Sequence, residues 1–133
     1  MLFRSNICTN QGLLATRTCI YLSLLGEHGF TELGRVCHAR ARKLADMIAA
    51  CDGYALAYPG PFFREFVVAC PTDATTIVDA ARTEGILAGI PLSRYFGAAA
   101  RNLLLVAVTE KNQDEDADKL CAVLKRASLV KVG

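Results

Sequence analysis

Tyr54-Ala-Leu-Ala-Tyr58, the rigid turn Pro59-Gly60-Pro61, and then Glu65-Phe-Val-Val-Ala-Cys70 form the stretch on which the fold turns. Before it, apolar residues recur at helical spacing. Within it the pattern becomes short β-rich runs punctuated by proline and glycine. The second run is apolar on both faces after Glu65, which predicts a central strand. Downstream, Leu103 to Val108 is the clearest strand in the chain. Ile86 and Leu87 predict a short edge strand ahead of a loop, Gly89-Ile-Pro91-Leu-Ser93.

Helices surround these strands. Upstream, Thr9 to Gly26 predicts one helix, capped at Thr9 or Asn10 and closed by Gly26 in a left-handed conformation. Leu13, Leu14, Cys19, Ile20, Tyr21, Leu24 and Leu25 leave it little polar surface, so it should be buried from several sides, partly against something outside this chain. A second helix is expected from Thr31 to Ala50. Its apolar stripe is Phe30, Leu33, Cys37, Ala41, Leu44, Ile48 and Cys51, with Arg40 to Lys43 as a solvated face or subunit contact. Downstream, a helix from Ala74 to Glu84 should be capped by Thr72 or Asp73. The last, Gln113 to Ala127, carries Asp114, Glu115 and Asp116 in its first turn and Lys125 and Arg126 in its last, as the helix dipole favours. Strands clustered among helices predict a single α+β domain over residues 1–133, with a small, largely antiparallel sheet covered by helices.

Composition bounds the function. The 133 residues are 53% hydrophobic and 21% charged, which supports a packed core. A formal net charge of +2 argues for neither a nucleic-acid footprint nor a polybasic membrane patch. Leu13 to Leu25 is interrupted by Arg17 and too short to span a bilayer, and no secretory cleavage pattern follows it. A soluble, cytoplasmic protein is the expectation. The six cysteines, Cys8, Cys19, Cys37, Cys51, Cys70 and Cys121, have wide, irregular gaps and no C-x-x-C. They read as reduced thiols used as small hydrophobes, with some local redox sensitivity left open. Cys37-His38 is not a catalytic dyad, because neighbours on a helix point about 100° apart. His28 and His38 read as exposed or capping histidines. The polar knot Thr109-Glu110-Lys111 reads as a helix cap through Thr109 or Asn112. No phosphate-binding glycine loop, zinc-protease helix or nucleophile elbow is present.

Four strings in order carry a family resemblance: Ser5-Asn-Ile-Cys-Thr-Asn-Gln11 leading to Tyr21-Leu-Ser-Leu-Leu-Gly26, Gly60-Pro-Phe-Phe-Arg-Glu-Phe-Val-Val68, Gly85-Ile-Leu-Ala-Gly-Ile-Pro-Leu92, and Leu104-Leu-Val-Ala-Val-Thr-Glu-Lys111. Together they resemble glycine dehydrogenase (decarboxylating), the P-protein of the glycine cleavage system, and most closely the alpha subunit (subunit 1) of its two-subunit form. The resemblance implies the C-terminal small domain of an aspartate-aminotransferase-type (fold type I) PLP enzyme, without the large domain, so Met1 is expected to begin a fragment. In the family, glycine is decarboxylated with PLP and its aminomethyl group passes to the lipoyl H-protein. PLP would reside on the partner beta subunit, and this piece alone would bind no cofactor or metal and be inactive. Asn6, Thr9, Asn10 and Gln11 are the expected cleft or interface residues, then Glu65, Thr109 and Glu110 as structural hydrogen-bond partners, none of them a catalytic acid or base. The implied partners are the missing large domain, the beta subunit and the H-protein, with self-association possible and neither nucleic acid nor membrane involved. Two other readings stand beside it: a small-ligand module using the Pro61 and Pro91 loops, and a two-fold dimerisation domain.

Overall fold

The computed structural model describes the backbone of residues 5–129 and the side chains of residues 11–128. The chain divides into two compact units, one up to Arg35 and one from Val36 onward. Helix α1 is Ser5–Ala49, two helical stretches joined at a kink. Its single non-helical residue is Gly26, at φ 62° and ψ −177°, which has the positive φ expected of it but an extended ψ, so it kinks the helix instead of closing it with a left-handed cap. The helix resumes directly afterwards rather than at Thr31, because Glu27 to Phe30 contain no residue that forbids helical dihedrals.

In the first unit, no side chain from Gln11 to Arg35 is buried. Leu13, Leu14, Ile20, Tyr21, Leu22, Leu24 and Phe30 are all exposed, Leu24 by 83%. This corrects the expectation of a helix buried from several sides. Cys19, read as a core residue, is exposed as well. Local bonds hold this segment: the Thr16 and Thr18 hydroxyls donate back to the Gly12 and Leu14 carbonyls at 3.0 and 2.9 Å, and Arg35 pairs with Glu32 at 2.8 Å. No described helix is long and apolar enough to cross a membrane.

The second unit is α+β, as the sequence predicts. Its strands are β1 (Ala55–Leu56), β2 (Glu65–Ala69), β3 (Ile90–Pro91) and β4 (Leu103–Ala107), ordered β1-β2-β4-β3 with every pair antiparallel. β2 is central, as its two apolar faces require. Period-2 alternation sends Phe66, Val68, Leu104 and Val106 into the core. There they meet Ala41, Leu44, Ala45 and Ile48 of α1, Ile77, Val78 and Ala81 of α2 (Ala74–Thr83), and Leu120, Val123 and Leu124 of α4 (Asp114–Leu129).

The expected edge strand at Ile86 and Leu87 lies instead at Ile90–Pro91, inside the segment read as a loop. Gly89 explains the shift. At φ +145° its backbone lies so close to β4 that a Cβ there would sit 2.3 Å from the Leu105 carbonyl oxygen. Pro91, lacking an N–H, is tolerated because β3 is an edge. Two short elements escaped the sequence reading: helix α3, Ser93–Phe96, and a 3₁₀ turn, Gly97–Ala100. Asp73, not Thr72, caps α2, its carboxylate accepting the Thr75 N–H at 2.8 Å. Gly85, at φ 75°, closes α2 while the Ile86 and Gly85 N–H groups donate to the Ala81 and Arg82 carbonyls. At α4, Asp116 reaches back to accept the Gln113 N–H at 2.9 Å, a capping-box bond, so neither Thr109 nor Asn112 caps that helix.

Candidate functional site

The antiparallel register of β2 and β4 brings three of the sequence-predicted residues to one end of the sheet. Glu65 opens β2 opposite Ala107, and Thr109 and Glu110 follow just beyond the end of β4. Glu65 is exposed, whereas Thr109 and Glu110 are half-buried.

The turn after β4 uses up its own polar groups. The Thr109 N–H donates to Asn112 Oδ1 at 2.8 Å, and the Thr109 hydroxyl accepts the Lys111 N–H at 3.2 Å. Arg40 of α1 donates to the Glu110 and Asn112 carbonyls, each at 2.6 Å. One turn further along α1, Lys43 pairs with Asp114 at 2.8 Å and holds that carboxyl below its ordinary pKa by hydrogen bond and charge. The Cys37 thiol points at Glu110 Oε2, 3.9 Å away. Thr109 and Glu110 are thus structural partners in a clamp between α1 and the turn.

The basic run Arg40 to Lys43 therefore does more than face water. Besides the two clamp residues, the Arg42 guanidinium lies 5.2 Å from the centre of the Phe62 ring. The sequence signal for this was the i, i+3 spacing of Arg40 and Lys43, which puts both on one helical face. His38 is exposed and stacks on Phe63, its Nδ1 donating to the Phe63 carbonyl at 3.1 Å. That agrees with the reading of an exposed histidine.

A groove of about 760 Å³ opens beside this end of the sheet. Its apolar floor includes Leu105 and Ile90, and its walls carry Glu65, Arg94, Lys43 and Asp116. Among the described residues no charged side chain is buried, and no three His, Cys, Asp or Glu side chains come within reach of one metal ion. Lys43 is paired, and Lys111, Lys119 and Lys125 are exposed, so none of these lysines sits in the enclosed apolar seat that a Schiff-base lysine needs. The groove is lined by apolar floor residues, charged side chains and hydrogen-bonded turns.

The remaining expected residues lie elsewhere. Gln11 is exposed on α1 in the first unit. Asn6, Thr9 and Asn10 fall in helical backbone but outside the residues whose side chains are described, as does Cys8.

Burial, by contrast, perturbs groups in the core. It pushes the Cys70 thiol up to about 12 and the Cys121 thiol up to about 11, the latter with help from Cys51. Tyr54 is raised too, first by desolvation and then by Cys70 and Cys51, while its hydroxyl donates to the Leu124 carbonyl at 3.1 Å.

Residues 3–124 match the model of the family described as glycine cleavage system P-protein. A probable glycine dehydrogenase (decarboxylating) subunit 1 of Chlorobium limicola is 46% identical over 120 residues, covering 90% of this chain and 26% of that protein. A protein of the same name from Rhodospirillum rubrum is 46% identical over 123 residues, covering 91% of this chain and 27% of that one. A crystal structure of glycine decarboxylase (P-protein) of the glycine cleavage system, in inhibitor-bound form, superposes with a TM-score of 0.72 at 33% identity. The match covers 80% of this chain and 24% of that one. The chain thus spans about a quarter of the length of the curated relatives it matches.

Proposed function

The chain belongs to the glycine cleavage system P-protein family, and from that premise we propose that it is the C-terminal small domain of the enzyme's subunit 1, a structural and interface piece. Its α+β fold resembles the small domain of aspartate-aminotransferase-type PLP enzymes. The parent enzyme decarboxylates glycine with PLP and hands the aminomethyl group to the lipoyl H-protein, in the cytoplasm. The Schiff-base lysine and phosphate cradle belong to the parts of the enzyme outside this chain, chiefly the beta subunit. Here Asn6, Thr9, Asn10 and Gln11 face the cleft or the subunit interface, and Glu65 shares the groove wall.

The observation that carries this reading is the exposed apolar surface of Leu13, Leu14, Ile20, Tyr21, Leu22, Leu24 and Phe30 on a chain of quarter length. Burying one such side chain is worth roughly 1.5–3 kcal/mol, so a stripe of them is a strong drive toward a larger body. The test is exchange of labelled bicarbonate into glycine, with the chain alone and after reassembly with the rest of subunit 1, the beta subunit, H-protein and PLP. Activity only on reassembly is expected. A PLP absorbance band and glycine decarboxylation by the chain alone would overturn the reading.

The groove of about 760 Å³ favours the second reading, a small-ligand module. Saturable melting shifts of the isolated chain with one member of an amino-acid panel would move that reading to first place.

A further inference from the structure

We propose that the outer face of the sheet, around Val67, Leu105 and Ile90, is a docking surface covered by the part of subunit 1 that lies outside this chain. The inference rests on the reading of the chain as one domain of a longer P-protein subunit, and gives that domain a second docking surface besides the first stretch of α1.

The strand register lays the surface out. Residues paired directly across antiparallel strands share a face. Val67 pairs with Leu105, and Leu105 with Ile90, so the three form one row across β2, β4 and β3. Ala55, Ala69 and Leu103 form a second row across β1, β2 and β4. Both rows alternate with the buried Phe66, Val68, Leu104 and Val106, so they face away from the core. Among the described residues, no side chain that builds or flanks the core comes from either row. The core contacts of α1, α2 and α4 therefore lie on the opposite face.

The outer rows are nevertheless apolar. An antiparallel sheet with one face in water alternates core residues with polar ones. Here the outward positions of β2 and β4 are Val67, Ala69, Leu103 and Leu105, all half-buried, and Ile90 on the edge is 41% exposed. Charge enters only in the next row, where Glu65 pairs with Ala107. An apolar centre with charge at its margin is the make-up of an interface core and rim. The space beside the first row is open, since Leu105 and Ile90 line the groove of about 760 Å³.

Coverage chooses the occupant. The chain matches 26% of the Chlorobium limicola subunit 1, so most of that polypeptide lies outside it. A segment of the same polypeptide meets this face at an effective concentration that a free partner or a second copy does not reach. It presents an apolar layer to the two rows and a polar group to Glu65.

The test is carbene footprinting read by mass spectrometry. It compares the 133-residue chain with a chimera in which this chain replaces the matching residues of the Chlorobium limicola subunit 1, with no beta subunit present. Leu24, on the first stretch, is the reference. Val67, Leu105 and Ile90 should label in the chain alone and fall several-fold in the chimera. Protection of Leu24 with the row unchanged would overturn this proposal and leave the P-protein reading standing; protection of neither would overturn both. Protection of the row only once the beta subunit is added, or in the chain alone and lost on dilution, would also overturn it, giving the face to the beta subunit or to a second copy. Ile90→Thr keeps a β-branched residue on the edge strand, so it should lower the melting temperature of the chimera by more than that of the chain, and equal shifts would count against the proposal. The same footprint on the native Chlorobium limicola subunit, at the aligned positions, decides the matter if the chimera folds poorly.

Discussion

The stretch from Gln11 to Arg35 and the body from Val36 onward are both rich in large apolar residues, yet they use them in opposite ways. In the first, not one described side chain is buried; in the second, three helices and a sheet share a single core. Apolar content therefore does not measure burial. What matters is whether the chain supplies a second apolar layer, and here only the body does, by folding β2 and β4 against α1, α2 and α4. The first stretch has helical order without such a layer, and its exposed apolar side chains are what the proposed docking onto a larger body would cover.

The sharpest way to break this comparison is the same substitution in both places. Leu124 is 1% exposed and packed on every side, so Leu124→Ala should cost about 2–5 kcal/mol in urea unfolding. A loss below about 1 kcal/mol would mean that the core is not packed to native density.

Gly89→Ala ranks next. The added methyl would meet the Leu105 carbonyl oxygen in a backbone conformation that alanine rarely adopts, costing about 1–3 kcal/mol. It should also loosen the edge pairing of Ile90 and Pro91, seen as faster amide exchange at Leu105. Unchanged exchange there would show that the edge strand does not depend on this close approach.

That close approach is also where the sequence reading slipped. The central strands were legible because short, continuous apolar runs rich in Val, Leu and Phe, bounded by turn residues, read as strands buried on both faces. The edge strand was not: two residues long and containing a proline, it offers no periodicity, and its place is set by contact with β4 rather than by its own propensity. The helix stop at Gly26 was legible from glycine's freedom, but the immediate restart was not, since Glu27 to Phe30 are neutral to the choice. The polar knot Thr109-Glu110-Lys111 was legible as the end of a core strand, but its reading as a helix cap was not met, since Thr109 bonds within its own turn while Asp116 supplies the capping bond. The clamp partner Arg40 lay hidden in a basic run that looked solvated, since a carbonyl partner leaves no charge signature in sequence.

Asp73 tests the body at its surface. Its carboxyl is held below the ordinary value first by the Thr75 backbone hydrogen bond and then, more weakly, by Arg101 at 3.4 Å. A folded-state pKa below the unfolded one means that the stabilisation is fully present above about pH 4 and fades as pH falls through the folded value. Asp73→Ala should therefore cost about 1 kcal/mol at neutral pH, with the difference from the parent chain shrinking in acid. A constant difference from neutral pH down into acid would assign the loss to something other than the cap.

The smallest expected effect is the most telling. Leu24, 83% exposed, makes no core contact to lose, so Leu24→Ala should change the stability of this chain by no more than about 0.5 kcal/mol. On reassembly with the remainder of a P-protein the same variant should behave like Leu124→Ala, because a leucine buried between bodies loses both transfer energy and packing when truncated. That outcome would make the comparison a matter of context, not of residue type: one leucine has its second layer within the chain, and the other would gain one only on reassembly. If Leu24→Ala instead destabilised the isolated chain by several kcal/mol while leaving reassembly untouched, the first stretch would have a core of its own, and its exposed face would no longer argue for a larger body.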